Sequence, residues 1–178
     1  KLSMKPSSKI AIDWYESKYN KILSKINDEF KKFRISHALM EIYKLIWDDF
    51  CSWFLEIIKP EKGKIDIYTY KKVKYFFERN LKILHPFMPF ISEEIWHLLE
   101  KRNINESLII SSWPKVNDFD KLILEKFEYS KELISQIRSA RKNNSISFKD
   151  PIKLICSNQI DKELRPIVEK MGNVNDWT

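Results

Sequence analysis

Leu84-His85-Pro86-Phe87-Met88-Pro89-Phe90-Ile91-Ser92-Glu93-Glu94-Ile95-Trp96 decides the fold of this 178-residue chain. Pro86 and Pro89, three apart, end one helix and force an elbow. Proline lacks an N–H and biases the residue before it away from the helical region. The elbow carries Phe87, Met88 and Phe90, so it is expected to be packed rather than a free solvent loop. Ser92 then stands where an N-cap is wanted, with Glu93 and Glu94 in the first turn, where carboxylates suit the positive end of the helix dipole. Ile91 before the cap and Trp96 within the first turns can form a hydrophobic staple. The stretch reads as a helix, a buried proline elbow and a capped helix.

Helical periodicity extends outward on both sides of the elbow. Ile12, Tyr15, Tyr19, Ile22, Ile26, Phe30 and Phe33 step by three or four and predict a long first helix, with Lys18, Lys21, Lys25, Lys31 and Lys32 opposite. A second helix is expected near Ser36 to Ile58. It has one stripe through Leu39, Ile42, Ile46, Phe50, Trp53 and Ile57, and another through Tyr43, Trp47, Phe54 and Ile58. Two stripes place it at the bundle centre. A third helix runs near Asp66 to Leu84 on Tyr70, Val73, Phe77, Leu81 and Leu84. The fourth is the capped segment from Glu93 to about Lys101. Residues 107–111 read as extended, leading to Trp113-Pro114. A fifth helix is expected from about Asp118 to Lys142 on Phe119, Leu122, Lys126, Leu133, Ile137 and Ala140.

The tail changes character after Asn143-Asn144-Ser145, a turn cluster. Residues 151–157 alternate and are β-branched, as a strand would be. Residues 161–171 read as a short helix stopped by Gly172. The fold class is therefore mainly α: an antiparallel helical bundle over residues 9–145 with a small α/β appendage over 146–178, after a linker at 1–8.

Composition narrows the function classes. Two glycines argue against a phosphate-cradling loop and against a turn-rich all-β fold. Net charge is +7, which suits an anionic partner without naming one. Cys51 and Cys156 are too few and too far apart for a disulfide framework or a Cys-x-x-Cys metal site, and Cys51 is expected to be a buried thiol in a reducing compartment. No stretch is long and apolar enough for a membrane span. The chain opens at Lys1, as an excised piece of a longer protein would.

Candidate catalytic constellations are thin. Glu94 and His97 have the Glu-x-x-His spacing used in di-iron bundles, but the motif occurs once, so no metal is expected. His85 at a helix end reads as structural. Glu93 and Glu94 have the capping explanation already, and no nucleophile turn accompanies His or Cys.

The elbow, read with Asp48-Asp49-Phe50-Cys51-Ser52-Trp53-Phe54-Leu55-Glu56-Ile57-Ile58-Lys59-Pro60, resembles the valyl branch of the class I aminoacyl-tRNA synthetases. Those enzymes carry a similar acidic-Phe-Cys-x-Trp-aromatic-Leu-Glu segment followed by a His-Pro-Phe-Met-Pro-Phe elbow. Ser111-Ser112-Trp113-Pro114 looks like the exit that follows. The resemblance covers roughly residues 10–155. It implies a helical anticodon-binding domain that docks the anticodon stem-loop of valine tRNA, in a cytoplasmic ligase whose ATP is bound elsewhere. It implies the remaining domains of the same enzyme as further partners. This piece would carry no cofactor and no catalytic residue of its own, since the adenylation motifs His-Ile-Gly-His and Lys-Met-Ser-Lys-Ser are absent. A preceding helix with an Asn-Lys-Leu-Trp-Asn-type start, which helps build the anticodon site in the family, is not part of the chain. The isoleucyl and leucyl relatives share a related elbow, and a helical protein-interaction bundle without RNA binding is the alternative from another class.

Basic residues are the candidates for RNA contact. Residues 60–83 hold seven cations against three carboxylates, and residues 131–149 hold five against one. From these stretches Lys71, Lys72, Lys74, Arg138, Arg141 and Lys142 are expected to meet phosphates, with Tyr68 and Tyr70 offering rings to unstacked bases. Each has a plainer reading. Lysines on helix faces serve solubility, Tyr70 lies on an apolar stripe, and Arg138, Arg141 and Lys142 complement a helix C-terminus. Trp14, Trp47, Trp53 and Trp96 are expected in the core.

Overall fold

The computed structural model describes residues 2–60, 63–103, 105–155 and 161–177. Lys62, Cys156 and the expected strand end at Ser157 lie outside them. Helix α1 (Pro6–Lys31) opens on proline at its first position, where a missing N–H goes unnoticed. Residues 6–8, expected within a linker, are helical, and Ser7 and Ser8 are buried. α1, not the second helix, forms the bundle axis. Ala11, Ile12, Trp14, Tyr15, Tyr19, Leu23 and Ile26 are all sealed, and the helical segments at 35–58, 67–84, 121–143 and 165–172 all pack on it.

The second helical run comprises α2 (Ile35–Tyr43), a π-helical stretch (Lys44–Leu55) and α3 (Glu56–Ile58). In a π-helix each N–H reaches five residues back, which widens the turn. The buried set Ile42, Leu45, Phe50 and Phe54 follows that wider turn, and two expected stripes collapse into one. Tyr43 and Trp47 turn to solvent, 53% and 60% exposed and stacked on each other. Cys51, expected buried, is exposed too.

α4 (Ile67–Leu84) starts on Asp66, whose carboxylate accepts Thr69 N–H at 2.9 Å. Tyr70, on its expected apolar stripe, is exposed. Polar side chains occupy part of its inner face instead: Tyr15 Oη donates to Asn80 Oδ1, and Tyr19 Oη to the Arg79 carbonyl, each at 3.0 Å. Burial pushes both phenols above their ordinary range. A raised folded-state pKa means stability is intact below the unfolded phenol value near pH 10 and falls as pH rises beyond it. Each phenol adds up to about 1.4 kcal/mol per pH unit to that fall. Urea midpoints taken through pH 9–11 check this, and a Tyr19→Phe chain with the same slope as its parent rules it out.

The chain turns at the two prolines as expected, but the elbow is not buried. Phe87 packs inward while Pro86, Met88, Pro89 and Phe90 are exposed, because the next helix starts at Pro89 and turns Phe90 away from the core. The expected cap is absent too. α5 (Pro89–Leu99) begins at Pro89 behind Met88, so Ser92 lies inside the first turn and is fully buried. The Ser92 hydroxyl donates to the Met88 carbonyl at 2.7 Å and meets His85 Nδ1 at 2.8 Å. A hydroxyl has one proton to give, so His85 donates from Nδ1 and pins the end of α4 to the start of α5. Glu93 faces away from any cap: it accepts Leu108 N–H and pairs with His97. Residues 107–111, expected extended, contain a 3-10 turn, Leu108–Ile110, that seats Leu108 against Leu81 and Trp96.

α6 (Lys121–Asn143) is capped by Asp120. Its buried face runs through Leu124, Phe127, Ser130, Ile134, Ile137 and Arg141, rotated from the expected stripe, with Leu122 and Ala140 outside. β1 (Ile152–Leu154) pairs in parallel with β2 (Val174–Trp177) across α7 (Arg165–Gly172). Asn173 supplies the left-handed residue that ends α7, where Gly172 was expected to. Gly172 remains helical and packs under Ile137. Ile167, Val168 and Met171 join the same core as α1 and α6, so the appendage is continuous with the bundle.

Candidate nucleic-acid interface

Pro60 links the two basic stretches in space. It lines a hollow with Ile58, Lys64 and Asp66, at the start of α4. It also lines a groove of about 490 Å³ with Ser52, Glu56, Lys59, Arg138, Phe148, Lys170 and Met171. The segment leading into α4, the end of the second helical run, the last turns of α6 and the end of α7 therefore lie around Pro60 at one end of the bundle.

The groove is cationic, with Lys59, Arg138 and Lys170 against Glu56, which pairs with Lys59 at 3.4 Å. Lys170 is held in place, donating to the Ile57 and Lys59 carbonyls at 2.7 and 2.6 Å. Arg138 is exposed, with its guanidinium 5.5 Å from the Trp53 ring centre. Trp53 is half-buried rather than core. Phe148 is 54% exposed beside Arg138. Aromatic faces next to cations are what unstacked nucleotides use. Lys59, Lys170 and Trp53 escaped the sequence reading as interface residues because they lie outside the two basic runs, and Phe148, inside the second run, was passed over because that run was read for its cations. They come together only through the α6–α7 packing.

The predicted site residues divide sharply. Lys142 is exposed one turn beyond Arg138 on α6, and Tyr68 and Lys71 are exposed three apart on the first turns of α4. Among the described residues no carboxylate pairs with Lys71, Arg138 or Lys142. Lys72 is occupied by Glu16 at 3.1 Å. Lys74 is occupied by Glu100 at 2.7 Å, a hydrogen bond that raises its pKa, and lies away from the groove end.

Arg141 is the clearest departure from expectation. It is 4% exposed. Nη1 donates to the Ser147 and Asp150 carbonyls at 2.7 and 2.8 Å. Nη2 donates to the Gly172 and Asn173 carbonyls, and Nε also reaches Gly172. Its charge is spent on carbonyl dipoles inside the fold, and its guanidinium cannot reach a phosphate without dismantling them. A signal for this was present: Arg141 falls on the buried stripe once that stripe is phased from Leu124 and Phe127.

A helical bundle with one cationic, aromatic end has the chemistry that suits an anionic partner with exposed rings, as single-stranded or loop RNA is. Comparison with known proteins makes the assignment narrower. Residues 13–156 match the family model of the anticodon-binding domain of tRNA ligase, and the chain belongs to that family. It is 44% identical to the valine–tRNA ligase of Christiangramia forsetii over 99% of its length, covering 20% of that protein. It is 40% identical to that of Bacteroides thetaiotaomicron, over 97% of this chain and 20% of the relative. For Porphyromonas gingivalis the values are 37%, 94% and 19%. The chain thus spans about a fifth of the curated relatives it matches. No helix among the described residues is long and apolar enough to cross a membrane.

Proposed function

We propose that this chain is the module of a cytoplasmic valine–tRNA ligase that grips the anticodon stem-loop of valine tRNA. The observation that carries the reading is the convergence of the exposed cations Arg138 and Lys142 with Trp53 and Phe148 at one end of a bundle of the anticodon-binding family. Cations on phosphates would supply affinity and register, and splayed bases on aromatic rings would supply selectivity. Tyr68 and Lys71 would extend the contact along α4. The module would bind no ATP and perform no chemistry alone; its service would be to position the acceptor end at a catalytic centre elsewhere in the longer protein. The relatives' names favour valine over the isoleucyl and leucyl alternatives.

The test is salt dependence. In the complete ligase, replacing Lys71, Arg138 and Lys142 with Gln is expected to shallow the log–log salt slope of valine-tRNA binding by roughly two to three units. Arg141 is kept, so that folding is not confounded with binding. A slope equal to the parent's would show that this end does not touch the phosphate backbone. Equal affinity for unrelated tRNAs would exclude anticodon reading.

A further inference from the structure

The end of the bundle opposite the groove is apolar. α1 is 26 residues long, about 39 Å at the helical rise. Its first turn lies near Pro60 and Pro166. At its far end Phe30 stacks on Phe87 of the proline elbow at 6.2 Å and meets Trp113 edge-on at 5.8 Å. Three residues beyond each member of that stacked pair, Phe33 and Phe90 stand 89% and 90% exposed. Ile35, Met88 and Ile91 beside them are about half-exposed.

Phe33 is also held against local sterics. Arg34 N–H bonds to the Glu29 carbonyl and Phe33 N–H to the Phe30 carbonyl, the paired bonds of a Schellman cap. Phe33 occupies its left-handed position at φ 55°, where glycine is favoured and a bulky side chain is an outlier. An aromatic ring that neither the local backbone nor the core of this domain requires has its use outside the domain.

We propose that this apolar end, centred on Phe33 and Phe90, docks onto a complementary apolar face of a further domain of the same polypeptide. The proposal rests on the chain spanning only about a fifth of the length of its relatives, and not on RNA binding. Two phenylalanines of roughly 200 Å² each, with the three half-exposed neighbours, offer on the order of 600 Å². Matched by an equal area on the partner, that is about 1,200 Å² in total, the low end of what separate molecules bury in a stable complex. It lies well within the roughly 600–1,500 Å² of contacts between linked domains, which also gain from the high effective concentration of a covalent tether. The two ends then divide the labour: the cationic end faces RNA, and the apolar end fixes the bundle's orientation on the rest of the protein.

Hydrogen exchange on the complete polypeptide tests this without RNA present. Amides in residues 31–36 and 87–92 are expected to exchange at least tenfold more slowly in the parent than in a Phe33→Gly/Phe90→Ser variant. Glycine relieves the backbone at position 33, so faster exchange in the variant reports lost docking rather than a weakened cap. A Phe90→Ser single variant, which leaves the cap untouched, should show an intermediate effect. Equal exchange in parent and variants would mean a free surface and overturn the proposal. Protection that disappears on dilution, together with a dimer-to-monomer shift in sedimentation, would assign the face to a second copy and overturn it equally. Protection that appears only when tRNA is added would do the same in favour of RNA.

Discussion

Replacing Arg141 with glutamine is expected to destabilise the chain by roughly 3 to 5 kcal/mol, from the loss of several charge-assisted hydrogen bonds and the orphaning of buried carbonyls. The guanidinium is a fork whose N–H groups reach four carbonyl-bearing residues, Ser147, Asp150, Gly172 and Asn173, from one buried point. Glutamine has two N–H donors and a shorter reach, so at least two carbonyls lose their donors. Those carbonyls belong to the turn after α6 and the turn between α7 and β2. The parallel pair β1–β2 and α7 should therefore loosen first. Denaturant midpoints give the magnitude, and hydrogen exchange over residues 147–155 and 165–177 gives the location. Arg141→Lys should recover only part of the loss, because a point charge cannot reproduce the fork. Arg138→Gln, three residues earlier but exposed, should stay within about 0.5 kcal/mol of the parent. If Arg141→Gln also falls within that margin, the carbonyl network is not what holds the C-terminal segment on the bundle.

Trp14→Ala is expected to cost about 3 to 5 kcal/mol. The indole is fully sealed, stacked on Phe127 with ring centres 3.9 Å apart and planes 11° from parallel. Lys131 Nζ lies 4.9 Å from its centre, and that ammonium is itself fixed by Asp49 at 2.8 Å. Truncation would open a cavity where α1, α6 and the π-helical stretch meet and remove the ring under a buried ion pair. The indole N–H has no acceptor among the described residues. Trp14→Phe therefore keeps the stack, discards an unsatisfied donor, and should lose less than half as much. Trp47→Ala, with its ring 60% exposed, should change stability by no more than about 0.5 kcal/mol. Chemical denaturation of the three variants side by side decides the matter. Equal losses at Trp14 and Trp47 would mean that the packing described for α1 is wrong.

The two tryptophans also show where periodicity stops being informative. Both sit on apolar stripes drawn at 3.6 residues per turn. In α1 that spacing holds and Trp14 is core. In residues 44–55 the helix widens to the π pattern, and the same arithmetic turns Trp47 outward. The fifth helix shows a phase error rather than a period error. Counting from Phe119 and Leu122 gave a stripe that failed at Lys126, while counting from Leu124 gives an unbroken one that ends on Arg141. Tyr70 was misplaced because the inner face of α4 is partly polar. Thr69 and Asn80 are buried there, which a search for apolar residues passes over.

By itself the sequence determined the helical class, the approximate span of each long helix, the proline elbow and the family, because these depend on local chemistry. Proline geometry, Asp66 as a cap, apolar spacing and the Phe-Cys-x-Trp and His-Pro-Phe-Met-Pro-Phe segments are all short-range signals. Tertiary structure alone decided that α1 is the axis and that Ser92 is a buried latch rather than a cap. It also decided which cations remain free. Lys72, Lys74 and Arg141 look like Lys71 and Lys142 in sequence, and they differ because Glu16, Glu100 and four backbone carbonyls arrive from distant elements. A charge is available to a phosphate only if the fold has left it unpaired, and pairing is a property of packing.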